Sequence, residues 1–290
     1  MSAETGPRVS VGLPVYNGER FVGQAVESVL AQTFAEFELI ISDNGSRDAT
    51  EEICRSYAAQ DPRIRYVRSK TNRGAAWNFD RVFELAAGEY FKWVAADDVC
   101  GPEFLARCVE ALDSNPRAVL AYGRAKAIDL RGQIFLEEEP DWRMDWRPAP
   151  VDRFRQLIDR SPWQVLFVFA LTRSAALRST GLIRGYSGSD CNLVAELILQ
   201  GEFHEVPADL HFFRIHRGSS TWPGGGIAKT QQFYDPSVRS RLAIMLSRRR
   251  RYFQYFVSII RSRLSAFEKA QLLAYNAGRA APWFTKALTR

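Results

Sequence analysis

The chain has 290 residues, of which 46% are hydrophobic and 25% charged, with a net charge of +6 at neutral pH. This length can bury a substantial core, and the ordinary composition excludes a disordered, collagen-like or low-complexity protein. No apolar run approaches the ~20 residues of a membrane span, and the N-terminus lacks an apolar signal segment. The four cysteines and three histidines show neither C-x-x-C nor zinc-finger spacing, which favours reduced thiols in a cytoplasmic protein.

Positive charge is concentrated near the end of the chain. Residues 229–290 contain thirteen Lys and Arg against Asp235 and Glu268, a net charge of +11, so residues 1–228 carry −5. Such asymmetry indicates an anionic partner for the C-terminal segment, with nucleic acid and a membrane surface as the two candidates. The same change predicts a large domain over residues 1–228 and a basic helical extension over residues 229–290.

The first hundred residues alternate short apolar strands with amphipathic helices. Strands are predicted at Arg8–Leu13, Phe37–Ile41, Ile64–Val67 and Tyr90–Val94. This alternation predicts an α/β fold with a mostly parallel sheet and right-handed crossovers. Parallel sheets bind ligands beyond the carboxyl ends of their strands. The polar loops at those ends, PVYNG, SDNGSRD, KTNRG and AADDV, are therefore expected to share one edge of the sheet.

Two adjacent carboxylates, Asp97 and Asp98, follow the fourth predicted strand. Taken alone, they fit either a solvated turn or a divalent-cation site at a sheet edge, where a phosphate-bearing ligand could meet the metal. Neither a G-x-G-x-x-G fingerprint nor a P-loop is present, which weakens the dinucleotide-binding and kinase interpretations.

Four ordered motifs resemble glycosyltransferase family 2, the inverting GT-A enzymes that use nucleotide-diphosphate sugars. They are PVYNGERFVGQAVESVLAQTF, SDNGSRDAT, NRGAAWN and the strand that ends in two aspartates. The resemblance covers roughly residues 8–220. It implies a Rossmann-like GT-A domain with a nucleotide-binding half at about residues 8–100 and an acceptor half at about residues 101–228.

The resemblance implies specific contacts to the nucleotide. At the end of the second strand, Asp43 would accept a hydrogen bond from a pyrimidine N–H or a ribose hydroxyl. Arg73 would pair with a phosphate or contact the base edge, because a guanidinium offers planar, forked donors, although a solvated loop arginine is the alternative. The loop after the first strand would cradle the base and ribose, unless it is a plain strand-end turn; its residues are Pro14, Val15, Tyr16 and Asn17.

The resemblance also implies a metal site. Many family members carry Asp-x-Asp or Asp-x-Asp-Asp here, whereas this chain has Ala95 at the earlier position. Metal binding would rest on Asp97 with help from Asp98, because Mg²⁺ takes one or two protein carboxylates and completes its shell with phosphate and water. Arg214 and His216 of an R-x-H motif would lie near the diphosphate, with His216 as a metal ligand or phosphate partner, although an isolated histidine is usually structural. A Mg²⁺ or Mn²⁺ cofactor is therefore expected.

Asp190 follows a Gly/Ser loop and opens an apolar helix. From the residues alone, an aspartate at this place is an N-cap. In the family that the chain resembles, the acid at this junction is the general base that deprotonates the acceptor hydroxyl, and both roles can coexist. His204 and His211 lack such a context and are expected to be packing or surface residues. Two alternatives, sugar stacking in an acceptor loop and core anchoring, are open for Trp142, Trp146 and Trp163, whereas Trp222 before the PGGG stretch is expected in a mobile lid.

The C-terminal segment interleaves arginines with aromatic and aliphatic residues in SRRRRYFQYFVSIIRSRL. That pattern is typical of an interfacial helix on anionic lipid, and equally of a helical subdomain that packs its apolar side on the core. No nucleic-acid-binding motif accompanies the charge, so nucleic acid is not expected as a partner.

The combined prediction is an inverting, metal-dependent glycosyltransferase of the hexosyl- or deoxyhexosyl-transferase class, cytoplasmic and peripheral on the inner face of the cytoplasmic membrane. It would move a single sugar from a UDP-, dTDP- or GDP-type donor to a hydroxyl of a glycolipid, lipid-linked or surface-glycan precursor in cell envelope biosynthesis. A chain-elongating synthase is not expected, because membrane spans and a Q-x-x-R-W motif are missing. The alternatives are a nucleotidyltransferase of sugar phosphates and a non-catalytic nucleotide-sugar-binding protein. The sequence is compatible with either a monomer or a homodimer.

Overall fold

A computed structural model of the chain describes residues 6–135, 146, 148–159, 163–217 and 226–285. The strands among these residues form a single mostly parallel sheet of eight strands, with helices packed on both of its faces. The predicted α/β class and the predicted mostly parallel sheet are confirmed.

The order of the strands across the sheet is β3-β2-β1-β4-β7-β6-β8-β5. β1 pairs in parallel with β2 and β4, and β2 with β3, whereas β7 runs antiparallel to both of its neighbours. The four predicted strands agree with the first four observed strands to within two residues at each end. The bounds are β1 Val9–Val15, β2 Phe37–Asp43, β3 Ile64–Arg68, β4 Tyr90–Trp93, β5 Val99–Cys100, β6 Ala118–Ile128, β7 Leu171–Arg173 and β8 Glu202–Arg214.

Helices connect these strands and continue beyond the last of them. A 3₁₀ helix, Trp163–Phe169, precedes β7. The α-helices are α1 Val22–Leu30, α2 Thr50–Gln60, α3 Ala75–Glu84, α4 Phe104–Ser114, α5 Pro150–Asp159, α6 Ser174–Arg178, α7 Ser189–Ile198, α8 Gly226–Tyr234, α9 Arg241–Arg261 and α10 Ala266–Thr285.

The sheet separates two apolar clusters. Leu39 and Ile41 of β2 belong to the cluster that contains α1 and α4, whereas Ile40 belongs to the cluster that contains α3 and α7, because successive strand residues point to opposite faces. A Cβ on Gly12 of β1 would come within 2.6 Å of a methyl group of Val82. The glycine therefore lets α3 pack directly on β1, which positions the loop in front of α3 at the sheet edge.

The C-terminal helices pack on the same side of the sheet as α7. Tyr255 and Ile259 of α9 and Leu272 of α10 are fully buried and belong to the cluster that contains Trp93 of β4. Contacts therefore cross the predicted boundary between residues 228 and 229. In the described ranges, the structure contains no helix both long enough and apolar enough to cross a membrane.

Trp146 is a core residue. It is buried, its Nε1 donates to the Tyr122 hydroxyl at 3.0 Å, and its ring packs against Phe167 and Phe203. Core anchoring is therefore the correct alternative for this residue. Trp142, Trp222 and the side chain of Trp163 lie outside the described part of the chain.

Candidate active site

The loops after β1 and β2 meet at the carboxyl edge of the sheet. The strand register aligns Val15 with Asp43, and Asp43 with Arg68. Asn78 of α3 donates its side-chain amide to the carbonyl groups of Val15 at 3.3 Å and Ser42 at 2.9 Å. These two hydrogen bonds tie the ends of β1 and β2 together under one helix.

The loop after β1 has a buried base and an exposed tip. Pro14 and Val15 are buried at the end of the strand, whereas Tyr16 and Asn17 are exposed. Asn17 has a φ angle of 50°, and its backbone N–H donates to the Ser46 hydroxyl at 2.8 Å. This arrangement leaves the Tyr16 ring available to a flat ligand. The nucleotide role of the four residues stays a prediction.

Asp43 is fully buried and has several protein donors. One carboxylate oxygen accepts from the Ser46 N–H at 2.8 Å, and the other accepts from the Tyr66 hydroxyl at 2.9 Å and from Arg68 Nε at 3.1 Å. The carboxylate thus organises the loop after β2, which differs from the predicted direct contact with a nucleotide. That contact stays a prediction, and it would require one of these donors to be exchanged for the ligand.

The loop in front of α3 has a braced backbone and an exposed arginine. The Asn44 side chain accepts from the Arg73 N–H at 3.0 Å and donates to the Gly74 carbonyl at 3.0 Å. The Arg73 guanidinium lies 4.2 Å from the centre of the Trp77 ring. A rigid backbone with an exposed guanidinium suits the predicted contact with a phosphate or a base edge.

The two adjacent aspartates have different environments. The Asp97 side chain is 31% exposed, and its Oδ2 lies 3.0 Å from His216 Nε2. Asp98 is buried; its Oδ1 accepts from the Arg214 N–H at 2.9 Å, and its Oδ2 lies 3.4 Å from His211 Nε2. Burial, together with the charge of Asp97, raises the pKa of Asp98 well above its usual range. Asp98 is thus held by the protein in this structure, and its role as a metal ligand stays a prediction.

Asp97 and His216 form a pair that suits a divalent cation. A carboxylate oxygen and an imidazole nitrogen converge there from the segment between β4 and β5 and from the end of β8. Within the described residues, no group of three or more His, Cys, Asp or Glu side chains is placed to hold a metal. Two protein ligands leave positions for phosphate oxygens and water on Mn²⁺ or Mg²⁺. The pair therefore fits a metal that is completed by a diphosphate.

Arg214 braces the segment that carries Asp97. Its Nε donates to the Asp97 carbonyl at 2.8 Å, its Nη1 to the Asp129 carbonyl at 2.6 Å, and its Nη2 to the Gln24 side chain at 2.8 Å. Arg214 is buried. Its guanidinium thus donates to protein oxygens in this structure, and the contact with the donor phosphates stays a prediction.

Arg20 is an exposed cation that lies against the same aromatic ring as His216. Its guanidinium carbon lies 5.0 Å from the centre of the Phe21 ring. The same ring contacts Arg214 at 4.6 Å and His216 at 5.1 Å between centres. A charged residue in an Asn-Gly loop is common, so nothing in the local sequence distinguished Arg20 from a solvated arginine.

A buried polar layer lies behind the acid pair. The Lys92 amine donates to the Phe169 carbonyl at 2.5 Å and lies 3.7 Å from the centre of the Phe104 ring. Burial lowers the pKa of Lys92. His211 stacks on Phe169, and burial, together with the charge of Lys92, lowers the pKa of His211 to about 3. His211 is therefore a neutral packing residue, one of the two roles expected for it.

Asp190 is the second residue of α7, and the N-cap position falls on Gly188. The N-cap role that the residues alone suggested for Asp190 is therefore wrong. Its Oδ1 accepts from the Cys191 N–H at 2.8 Å, and its Oδ2 accepts from the Tyr234 hydroxyl at 2.8 Å. Burial, with the charge of Asp190, raises the pKa of Tyr234 well above its usual range, so the tyrosine stays protonated and donates.

Helix α8 connects Asp190 to the sheet edge. The buried Gln231 donates to the Gly185 carbonyl at 2.7 Å and accepts from the Ser187 N–H at 3.3 Å. The Tyr234 carbonyl lies against Gly74, which has a φ angle of 91° and where a Cβ would come within 2.4 Å of that oxygen. Tyr234 thereby touches both Asp190 and the loop in front of α3. Its separation of 44 residues from Asp190 left no local sequence signal.

A sheet whose carboxyl edge gathers polar loops is the architecture of α/β proteins that bind ligands at that edge. The sequence profile described as "Glycosyl transferase family 2" matches residues 10–179. The chain belongs to this family.

The chain is similar to individual members. It is 32% identical over 149 residues to an uncharacterized glycosyltransferase of Rickettsia typhi, over 51% of this chain and 46% of that protein. It is 30% identical over 128 residues to chondroitin synthase of Escherichia coli, over 44% of this chain and 18% of that protein. The match spans less than half the length of either relative.

Solved structures with the same fold confirm the GT-A type. Staphylococcus aureus TarS 1–349 in complex with UDP-GlcNAc aligns with a TM-score of 0.68, at 18% identity, over 94% of this chain and 72% of that chain. The mannosyltransferase PcManGT from Pyrobaculum calidifontis, in complex with GDP-Man and Mn²⁺, aligns with a TM-score of 0.56, also at 18% identity, over 94% of this chain and 70% of that chain. At these identities the likeness concerns the fold.

Proposed function

We propose that this glycosyltransferase is an inverting enzyme that moves a single sugar from a nucleotide-diphosphate sugar to a hydroxyl acceptor. The observation that supports the proposal is the position of Tyr234, whose hydroxyl donates to the Asp190 carboxylate and whose carbonyl lies against Gly74 in the loop in front of α3. A carboxylate at the carboxyl edge of the sheet is suited to take a proton from an acceptor bound next to the donor.

The donor in this proposal is a UDP-, dTDP- or GDP-type sugar. The fold relatives TarS and PcManGT are described with UDP-GlcNAc and GDP-Man, which supports this ligand class. The exposed ring of Tyr16 would stack on the base, and the Arg73 guanidinium would meet a phosphate or the base edge. Arg20 would add positive charge near the diphosphate.

Asp97 and His216 would hold the divalent cation, Mn²⁺ or Mg²⁺. When bound, the cation would neutralise the charge of the leaving nucleoside diphosphate. Arg214 would keep the Asp97 segment in place through the hydrogen bond to the Asp97 carbonyl. Asp98 would hold the same segment against the end of β8, because its carboxylate accepts a hydrogen bond from the Arg214 N–H.

Asp190 would act as the general base. The proton of the acceptor hydroxyl moves to the carboxylate as the acceptor oxygen forms a bond to the anomeric carbon. The bond between that carbon and the diphosphate breaks on the opposite face, and the nucleoside diphosphate leaves with the electron pair, so the configuration inverts. The Tyr234 hydroxyl would hold the carboxylate in one orientation throughout.

The acceptor in this proposal is a glycolipid, lipid-linked or surface-glycan precursor of cell envelope biosynthesis. The protein would work in the cytoplasm, at the inner face of the cytoplasmic membrane. The net charge of +11 on residues 229–290 supports contact with anionic lipid headgroups there.

Product analysis tests the proposal. Incubation with a panel of UDP-, dTDP- and GDP-sugars and Mn²⁺ should release nucleoside diphosphate, and release should rise when a membrane or glycan extract supplies acceptor. Pyrophosphate release would instead indicate a nucleotidyltransferase, and donor binding without turnover would indicate a binding protein.

A variant of Asp190 tests its role as the base. Asp190→Asn should lower transfer by at least about a hundredfold with donor affinity unchanged. The exposed Asp152→Asn on α5 is the matched control.

A further inference from the structure

Helix α9 carries an apolar face that the described residues leave exposed. Its members Leu242, Leu246, Phe253 and Ile260 are 59%, 38%, 65% and 59% exposed. They follow one another at spacings of four, seven and seven residues. At about 100° of rotation per residue, these spacings place all four side chains within about 40° on one side of the helix. We call these four residues the outer face of α9.

The opposite side of α9 is the one that the fold uses. Tyr255 and Ile259 are fully buried there in the cluster shared with α7 and α10. A helix that packs on a core through one face normally presents polar residues on the other. The outer face instead extends large apolar side chains along about 27 Å of helix. Exposed apolar side chains aligned in this way are typical of an interaction site.

The charge around the outer face has one sign. No acidic residue occurs between Asp235 and Glu268, whereas that interval contains eight arginines. Arg249 and Arg250 occupy helix positions on either side of the outer face, and Arg250 and Arg261 are exposed. The partner of this surface must therefore offer apolar groups and negative charge together.

We propose that the outer face of α9 docks onto an anionic membrane surface. Phe253 and Ile260 would enter the boundary between headgroups and acyl chains, and the arginines would meet the lipid phosphates. A second copy of the chain is a poorer occupant. A two-fold contact through this face would bring two identical arginine-rich surfaces together. The arginines would repel one another, because residues 236–267 contain no acidic residue to pair with them. This docking rests on the proposed function in one respect: it names the surface through which the enzyme would reach a lipid-linked acceptor.

Vesicle co-sedimentation of the full chain tests this docking. The protein should bind vesicles of phosphatidylcholine with phosphatidylglycerol, and much more weakly vesicles of phosphatidylcholine alone, and added salt should weaken the binding. Phe253→Gln with Ile260→Gln should lower the affinity for the anionic vesicles about tenfold or more. Arg249→Gln with Arg250→Gln should lower it by about fivefold for each charge. Ile134→Gln, at a residue 53% exposed on another part of the surface, should bind like the wild type.

Three results would overturn the docking. They are equal or absent binding to both kinds of vesicle, wild-type binding by both double variants, and a dimer in light scattering that the Phe253→Gln/Ile260→Gln variant dissociates. Circular dichroism and thermal melting show whether each variant is folded. Vesicle binding is measured without donor or acceptor, so its failure is separate from a failure to release nucleoside diphosphate.

Discussion

Neighbouring residues of the same type have different environments in this protein. Asp97 and Asp98 are adjacent, yet Asp97 reaches solvent beside His216 whereas Asp98 is enclosed by the Arg214 N–H and His211. An exposed carboxylate can reach a bound cation directly. A buried carboxyl that accepts from a backbone N–H is instead suited to hold the segment around it.

This contrast predicts different effects on metal binding. Asp97→Asn should weaken Mn²⁺ affinity in the presence of nucleoside diphosphate by about a hundredfold, because it removes the charged ligand. Asp98→Asn should keep that affinity within a few-fold, since an amide oxygen can still accept from the Arg214 N–H. Calorimetric titration with Mn²⁺ measures both. Equal losses in the two variants would contradict the assignment of the metal to Asp97.

The Tyr234 hydroxyl offers a second residue-level prediction. Tyr234→Phe should lower kcat about three- to tenfold and leave the KM for the donor unchanged, because it removes orientation of the base rather than donor contacts. Steady-state kinetics with the donor concentration varied measures both constants.

Tyr57→Phe is the matched control for that variant. Tyr57 also donates its hydroxyl to a carboxylate, that of Glu27 at 2.6 Å, on the surface between α1 and α2. Removal of the Tyr57 hydroxyl should leave both kcat and the KM for the donor as in the wild type. If Tyr57→Phe and Tyr234→Phe behaved alike, the effect would concern general stability and not the orientation of Asp190.

At the scale of the elements, α3 and the segment before α7 are joined by a titratable group. Asp80 of α3 accepts from the Ile183 N–H at 3.0 Å, and burial raises the pKa of Asp80 to about 7. The folded state therefore holds the Asp80 proton more tightly than the unfolded state does. The resulting stabilisation is complete below the unfolded pKa of about 4 and is lost as the pH rises through about 7.

Asp80→Asn should remove this dependence on pH. The variant cannot ionise and keeps an oxygen acceptor for the Ile183 N–H. Its free energy of unfolding should exceed that of the wild type by on the order of 2 kcal/mol at pH 8, and the gap should narrow toward pH 5. Urea unfolding at both pH values measures it, with the exposed Glu52→Gln on α2 as control. A gap that widened toward pH 5 would have the wrong sign for a buried, protonated Asp80.

At the scale of the whole molecule, the C-terminal helices are joined to the sheet by a shared core. Tyr255, Ile259 and Leu272 contribute fully buried side chains to the cluster around Trp93. Burial of three such side chains contributes about 5 kcal/mol or more, which is comparable to the net stability of a domain.

Truncation after residue 228 should therefore give a chain without a cooperative melting transition, because it exposes that cluster and removes Tyr234. Differential scanning calorimetry measures the transition, and truncation after residue 285 is the control. A shortened chain of residues 1–228 that melted cooperatively and bound donor would support the predicted division into two domains.

The α/β class, the first four strands and the loops at the carboxyl edge are all predictable from the amino-acid order. Each of these follows from patterns within about ten residues, such as strand and helix periodicity and turn residues. The family motifs also lie within single loops. For the same reason, the sequence located Asp97, His216 and Asp190 as chemical candidates without saying which carboxylates are accessible.

The environments of those candidates depend on contacts between distant parts of the chain. Arg68 encloses Asp43 from 25 residues away, Tyr234 holds Asp190 from 44, and the Arg214 N–H meets Asp98 from 116. Burial and hydrogen-bond partners arise from such distant contacts, so no local pattern contains them. The same holds for α9, where the interleaved arginines and apolar residues fitted packing and lipid contact equally. The fold buries one of its two apolar faces and leaves the other at the surface.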